Sequence, residues 1–203
     1  MNIISKNIAN VLTCLNLILG LISIIFSFQG NLMFGTILIF SGLFVDFFDG
    51  FFARCLNANS EFGKQLDSLA DLVTFGIAPS IIIYQLIHYK IFNEYILQNL
   101  NTDFSIAYFA FIFPVFGAIR LAKFNLDTKQ RENFIGLPIP AAGIFLASLS
   151  FYDEIILTTH ILLLCLFILS ILLVSKINLY SLKIKKHEQK RSRVNYFRII
   201  LII

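Results

Sequence analysis

Six apolar runs dominate this chain of 203 residues, most of them close to the length that carries a helix across a bilayer. About 20 residues of helix cross about 30 Å of hydrocarbon, and a backbone in lipid must satisfy its own hydrogen bonds. The runs extend over about Ile8–Phe28, Leu32–Arg54, Gly63–His88, Ser105–Phe124, Ile139–Tyr152 and Ile155–Val174. Between the first two lies only Gln29-Gly30-Asn31, which predicts a tight helical hairpin. The fifth run is short and has a polar edge, as expected of a tilted segment or one partly buried in protein. A membrane barrel would show short alternating segments instead of continuous runs. The predicted fold is therefore all-α: a polytopic membrane helix bundle with about six transmembrane helices. A composition of 58% hydrophobic and 14% charged residues departs from soluble domains in the same direction. The first run exceeds a typical signal-peptide core and lacks a small-residue cleavage site before the second, so it is read as a span.

Basic residues give the orientation. With the Arg54–Gly63 loop on the cytoplasmic side, the amino terminus, the Asn125–Leu137 loop and the tail after Ser175 share that side. Of sixteen Lys and Arg residues, all but Lys90 then lie there, as the positive-inside tendency requires. Residues 1–175 read as the membrane domain, and 176–203 as a basic cytoplasmic tail near anionic headgroups. The apolar end, Val194–Ile203, reads as an interfacial segment or the start of a partial seventh helix. Nucleic acid is not an expected partner, because no aromatic platform accompanies the charge. Cys14, Cys55 and Cys165 show neither a pairing pattern nor metal-ligand spacing.

Against this apolar background four aspartates stand out. Asp46 and Asp49 lie near the inner end of the second run, Asp67 and Asp71 near the inner start of the third. An aspartate at the centre of a spanning helix costs on the order of 3 kcal/mol, less near the interface. On a helix, Asp46, Asp49, Gly50 and Ala53 share one face, as do Gly63, Asp67 and Asp71. Two consecutive helices would thus bring two aspartates each to one pocket, where Arg54 and Lys64 are too few to neutralise them. Hard oxygen ligands without His or Cys point to two divalent ions, Mg²⁺ or Mn²⁺, in preference to zinc. His88, His160 and His187 are scattered and are not expected as ligands. Paired hard cations on carboxylates suit chemistry at phosphorus. Gly50, Ala53 and Gly63 would admit a nucleotide, or would serve close helix packing. The competing reading of the aspartates, as polar caps around a loop, fits any one of them better than all four.

The segment from Asp46 to Asp71 reads D-x-x-D-G-x-x-A-R-x8-G-x3-D-x3-D, eight fixed positions within 26 residues. It resembles the complete signature of the CDP-alcohol phosphatidyltransferases. The resemblance implies a dinuclear metal site on Asp46, Asp49, Asp67 and Asp71, with Asp71 also the candidate base for the acceptor hydroxyl. It implies a CDP-lipid pocket bordered by Gly50, Ala53, Arg54 and Gly63. Flanking segments are similar to the serine-accepting branch of that family: Asp67-Ser68-Leu69-Ala70-Asp71-Leu72-Val73-Thr74-Phe75-Gly76-Ile77-Ala78-Pro79, Asn10-Val11-Leu12-Thr13-Cys14-Leu15-Asn16-Leu17-Ile18-Leu19-Gly20, and Gly136-Leu137-Pro138-Ile139-Pro140-Ala141-Ala142. Ala9 departs from a proline common in relatives, a change confined to helix entry. The expectation is a membrane enzyme, commonly homodimeric among its relatives, that carries phosphatidyl from CDP-diacylglycerol to L-serine, giving phosphatidylserine and CMP.

Asn10, Thr13 and Asn16 recur every three residues on one face of the first run, where they border the nucleotide or bond neighbouring helices. Arg120, Lys123 and Asn125 close the fourth run on the aspartates' side; Arg120 is the candidate for serine carboxylate or lipid phosphate, and Lys123 a topology anchor. Three rivals remain: another acceptor, such as glycerol 3-phosphate or inositol phosphate; a cation-coupled transporter, which would favour midplane sites and internal repeats; and an intramembrane aspartyl protease, whose G-x-G-D sequence is absent.

Overall fold

The structure, a computed structural model, describes residues 3–55, 60–97, 105–126, 134–152 and 158–179. Helices α1 (Ile3–Phe28) and α2 (Leu32–Cys55) form the predicted hairpin. Its turn needs a left-handed residue, and Gly30 supplies one at φ +85°. The ring of Tyr95 occupies the space where a side chain at that position would stand. Asn31 then starts α2, its Oδ1 accepting from the Phe34 amide at 3.2 Å. The two helices are stitched by small polar groups, with Ser23 Oγ donating to the Gly35 carbonyl at 2.8 Å. On its outer face α1 presents Val11, Leu15, Ile18, Leu21 and Ile25, an exposed apolar stripe of helical period suited to lipid.

The third run is a continuous 32-residue rod, Glu61–Phe92, and most of it is buried. It comprises α3 (Glu61–Asp71), a π-helical segment (Leu72–Ile77) and α4 (Ala78–Phe92). Ser60 caps α3 by accepting the Gly63 amide at 2.9 Å. The π-helical segment is the one departure from α-winding in the rod, and sequence periodicity did not predict it. Thr74, Phe75 and Gly76, all buried, lie within it. Thr74 Oγ1 donates to the Asn16 carbonyl of α1 at 3.0 Å. A Cβ at Gly20 or Gly42 would run into Thr74, so the absent side chains on α1 and α2 let the wider turn sit between them. Phe75 anchors the core with Ile82, Ile83, Phe113, Leu146 and Leu162, each fully buried.

The fourth run opens with a 3₁₀ turn (Ile106–Phe111) and continues as α5 (Ile112–Leu126). The fifth is α6 (Ile139–Ser148), followed by a 3₁₀ turn (Leu149–Phe151); the sixth is α7 (Thr159–Val174), started by Thr158. Both α6 and α7 are apolar and shorter than the other four rods, which are long enough to cross a membrane. The expected start of the sixth run at Ile155 lies outside the described residues, as do the 180–203 part of the tail and its apolar end. Just before α6, β1 (Phe134–Ile135) pairs antiparallel with β2 (Asn178–Leu179). This short clasp follows the α7 end and is not a spanning element. Gly136 N donates to the Ile177 carbonyl at 3.0 Å and Leu137 N to that of Leu172 at 3.1 Å.

Because the rods alternate in direction, the starts of α1, α3 and α6 meet the ends of α2, α5 and α7 at one end of the bundle. At the other end Gln85 Nε2 donates to the carbonyls of Ser27 (3.1 Å) and Phe28 (3.2 Å), and its Oε1 accepts from the Ile96 amide at 3.2 Å. Thr36 Oγ1 there donates to the Ala147 carbonyl at 3.0 Å, joining α2 to α6.

Candidate active site

All four aspartates lie at the end where α2 finishes and α3 begins. One carboxylate oxygen from each of Asp46, Asp49 and Asp67 comes within 4.8 Å of the other two. Asp71, one turn further along α3, turns its carboxyl against that of Asp46 in hydrogen-bonding contact. Its Oδ1 is buried without a partner. The expected quartet is thus gathered as a set of three, with the fourth joined through Asp46.

The wall facing these acids is α1. Thr13, 4% exposed, points its Oγ1 at Asp49 Oδ2 across 2.7 Å and at its own helix's Ala9 carbonyl across 3.0 Å. A hydroxyl has one proton, and the shorter contact to a carboxylate is the stronger destination. Thr13 therefore holds a rotamer of Asp49, which is the bond to a neighbouring helix that its spacing offered alongside a place bordering the nucleotide. Asn10 Oδ1 lies 3.1 Å from where a Cβ on Gly63 would be, so Gly63 lets α1 and α3 approach at the mouth of the site. Gly50 is half-buried on the α2 face with Asp46 and Asp49. The side chains of Ala53 and Arg54 lie outside the described residues. Asn16, one turn below Thr13, is wholly buried.

The opposite wall is α5. Arg120 is half-buried, its Nε is enclosed without a partner, and Asp71 is the acid whose charge acts on it. Lys123 is exposed. Asn125 does something spacing alone did not reveal: its Nδ2 donates to Ser68 Oγ at 3.0 Å and to Gln65 Oε1 at 3.4 Å. Lys64 Nζ returns a bond to the Asn125 carbonyl at 3.2 Å and lies 5.8 Å above the Phe124 ring. These contacts clip the end of α5, and with it Arg120, to the start of α3. The visible signal was modest: Lys64 and Ser68 share a face of α3 at i, i+4. His88 is at the far end of the bundle, its Nδ1 2.9 Å from the Glu94 carbonyl.

Chemically, the donor set fits hard divalent ions. It is made only of carboxylate oxygens, brought close by two helices and, among the described residues, unaccompanied by a matching number of cations. Three anionic oxygens so near one another in a partly enclosed site repel strongly unless positive charge joins them. Asp71 has one oxygen free of hydrogen bonds, and Arg120, on which the Asp71 charge acts, has its Nε–H free.

With apolar helices long enough to cross a membrane and paired aspartates gathered at one end, the chain fits the class of membrane transferases, and it belongs to the CDP-alcohol phosphatidyltransferase family, which it matches over residues 6–182. Among curated proteins it is 43% identical over 143 residues to the CDP-diacylglycerol–serine O-phosphatidyltransferase of Bacillus subtilis, covering 70% of this chain and 75% of that one. The enzyme of the same name from Helicobacter pylori J99 is 37% identical over 137 residues, 66% of this chain and 53% of that one. The archaetidylserine synthase of Methanothermobacter thermautotrophicus is 32% identical over 152 residues, 72% of this chain and 60% of that one.

Proposed function

We propose that this protein transfers the phosphatidyl group of CDP-diacylglycerol to the hydroxyl of L-serine, releasing CMP and forming phosphatidylserine. The observation that carries the reading is the meeting of Asp46, Asp49 and Asp67 oxygens within 4.8 Å, with Asp71 alongside. The relatives named as serine transferases support the choice of acceptor, as does the serine-branch sequence around Asp67–Gly76.

In this reading Asp46, Asp49, Asp67 and Asp71 hold two divalent ions, Mg²⁺ or Mn²⁺, whose charge stabilises the phosphate oxygens during displacement. CDP-diacylglycerol enters from the cytoplasmic leaflet with its acyl chains in lipid. Its nucleotide end lies beside Asn10, Gly50, Ala53, Arg54 and Gly63, where small residues leave room for it. Thr13 keeps the Asp49 carboxylate in place. The serine hydroxyl gives its proton to Asp71 as its oxygen bonds to the lipid-side phosphorus, and the bond from that phosphorus to CMP breaks. Arg120, within the field of Asp71, receives the serine carboxylate or a phosphate oxygen. The clip of Lys64 and Asn125 fixes the distance between the base and this cation. Residues 1–175 act as the catalytic membrane domain and 176–203 as a tail near anionic lipid. The active end faces the cytoplasm of a cell membrane, and a homodimer is the expected assembly.

The test is direct: purified protein in detergent–lipid micelles receives labelled L-serine, CDP-diacylglycerol and Mn²⁺. Labelled phosphatidylserine, lost on chelation and restored by Mn²⁺ or Mg²⁺, is the expected product. Product with glycerol 3-phosphate or inositol phosphate but none with serine would overturn the acceptor, and ion flux without any transfer would favour a transporter.

A further inference from the structure

Thr13 and Asn16 are neighbours on the same buried face of α1, and they behave differently. Thr13 spends its hydroxyl on Asp49. Asn16, 0% exposed, has neither its Nδ2 nor its Oδ1 in a hydrogen bond. A buried amide in an apolar surround costs several kcal/mol unless something bonds it, and a side chain only to be packed there would do better as Leu.

The register of the hairpin tells what Asn16 faces. α1 and α2 run antiparallel, and Thr13 is bonded to Asp49 while Ser23 is bonded to Gly35. Three residues deeper along α1 from Thr13 is Asn16; three residues deeper along α2 from Asp49 is Asp46. Asn16 Oδ1 indeed lies 2.9 Å from the position of a Cβ on Gly42, one turn below Asp46 on the same stripe. On the third side, Thr74 donates to the Asn16 main-chain carbonyl and leaves the side-chain amide untouched. The amide oxygen thus lies against Gly42, beside Thr74 of the π-helical segment that follows Asp71, and the hairpin register sets Asn16 at the level of Asp46.

We propose that Asn16 is a positioning residue for Asp46, its Nδ2 donating to that carboxylate, directly or across one water, when the site holds divalent ions. In the present arrangement Asp46 is turned toward Asp71. Ligation draws both carboxylates toward cations instead of each other, and a ligating carboxylate is ordinarily oriented by an outer hydrogen-bond donor. Thr13 is that donor for Asp49. Asn16 is the group at the right level to serve Asp46, and Gly42 supplies the space its amide needs. The inference rests on the proposed metal-dependent transfer and adds to it a residue outside the D-x-x-D-G signature.

The experiment measures Mn²⁺ binding by electron paramagnetic resonance titration of the full chain in micelles, with metal-dependent thermal shift as a second readout. Asn16→Leu, close in volume and without a donor, is expected to weaken Mn²⁺ binding about tenfold or more. Asn16→Ala, which removes the amide without adding bulk, reads the same loss if the leucine variant does not fold. Ser23→Ala on the same interface is the control: it removes the Gly35 bond, lowers the melting temperature and leaves Mn²⁺ affinity unchanged. Unaltered affinity in both Asn16 variants overturns the proposal and makes Asn16 a packing residue. A loss in Ser23→Ala equal to that in Asn16→Leu also overturns it, since the effect would then be general loosening. A wild type that takes up no Mn²⁺ removes the dinuclear site, and this inference with it, a result separate from a wild type that binds while its variants bind equally well.

Discussion

Among the described residues the bundle encloses two side-chain amides completely, at opposite ends. Gln85, on α4, bonds with both of its polar atoms: its Nε2 reaches two carbonyls at the end of α1 and its Oε1 the Ile96 amide. Asn16, on α1, bonds with neither. The first amide closes a helix end whose carbonyls lack intrahelical partners, which is a matter of folding. The second is held unbonded, one turn along α1 from the Thr13 that bonds Asp49. Asp71 Oδ1 and Arg120 Nε share that condition at the acidic end. Ser27 Oγ and His88 Nε2 at the far end are buried without partners too, so the contrast lies in the two amides: that of Gln85 is wholly committed to its own chain, and that of Asn16 is not.

Variants at the two ends should separate activity from stability. The largest expected effect is at the acids: Asp71→Asn should lower phosphatidyl transfer by at least about 100-fold, the usual scale of a general base, while size-exclusion and circular dichroism profiles remain those of wild type. Undiminished transfer would remove Asp71 from its assigned role. Next, Gln85→Leu should reverse the pattern. It leaves the Phe28 carbonyl and the Ile96 amide without their partner, the Ser27 carbonyl keeping the Gly30 amide, and should cost about 2–3 kcal/mol of stability, read as a lower melting temperature, with turnover per folded molecule and Mn²⁺ affinity intact. A loss of Mn²⁺ affinity there would break the contrast between the ends. Thr13→Val should weaken Mn²⁺ binding about tenfold, with Thr13→Ser close to wild type; equal behaviour of the two would show that the hydroxyl is idle. The smallest effect is expected at the α3–α5 clip. Asn125→Ala should raise the KM for serine a few-fold, the scale of about 1 kcal/mol for lost neutral hydrogen bonds, with kcat little changed.

Much of this was legible in the chain itself, and the reasons differ by region. Continuous apolar runs marked the rods because a backbone in lipid must satisfy its own hydrogen bonds, and a helix does so within one unbroken apolar run whereas a barrel strand alternates. The aspartate spacing marked the site because helical periodicity maps it onto two faces. What stayed hidden depends on contacts between elements distant in sequence. The π-helical winding of Leu72–Ile77 has no periodic signature, since it relies on Gly20 and Gly42 giving space to Thr74. Thr13 was placed on the correct face, but its commitment to Asp49 needs the register of the hairpin. Asn125 was grouped with cations because of its neighbours, although its amide works as a clip to Gln65 and Ser68. The 3₁₀ start of the fourth run likewise follows a local cap at Ser105, whose Oγ accepts from Ala107 N at 3.3 Å.

The wide turn after Asp71 also limits what lengths this polypeptide tolerates. Each residue of an ordinary helix rotates the chain by about 100°, and a π-turn accommodates one more residue than an α-turn does. Winding all six residues of 72–77 as ordinary helix would swing everything beyond them by roughly a quarter of a revolution. Either Asp67 and Asp71 would then lose their orientation toward α2, or Ile82, Ile83 and Gln85 would lose theirs toward the interior. The wide turn absorbs one extra residue and keeps both in phase, so loss of a single position there could be taken up by regular winding, whereas a further insertion could not.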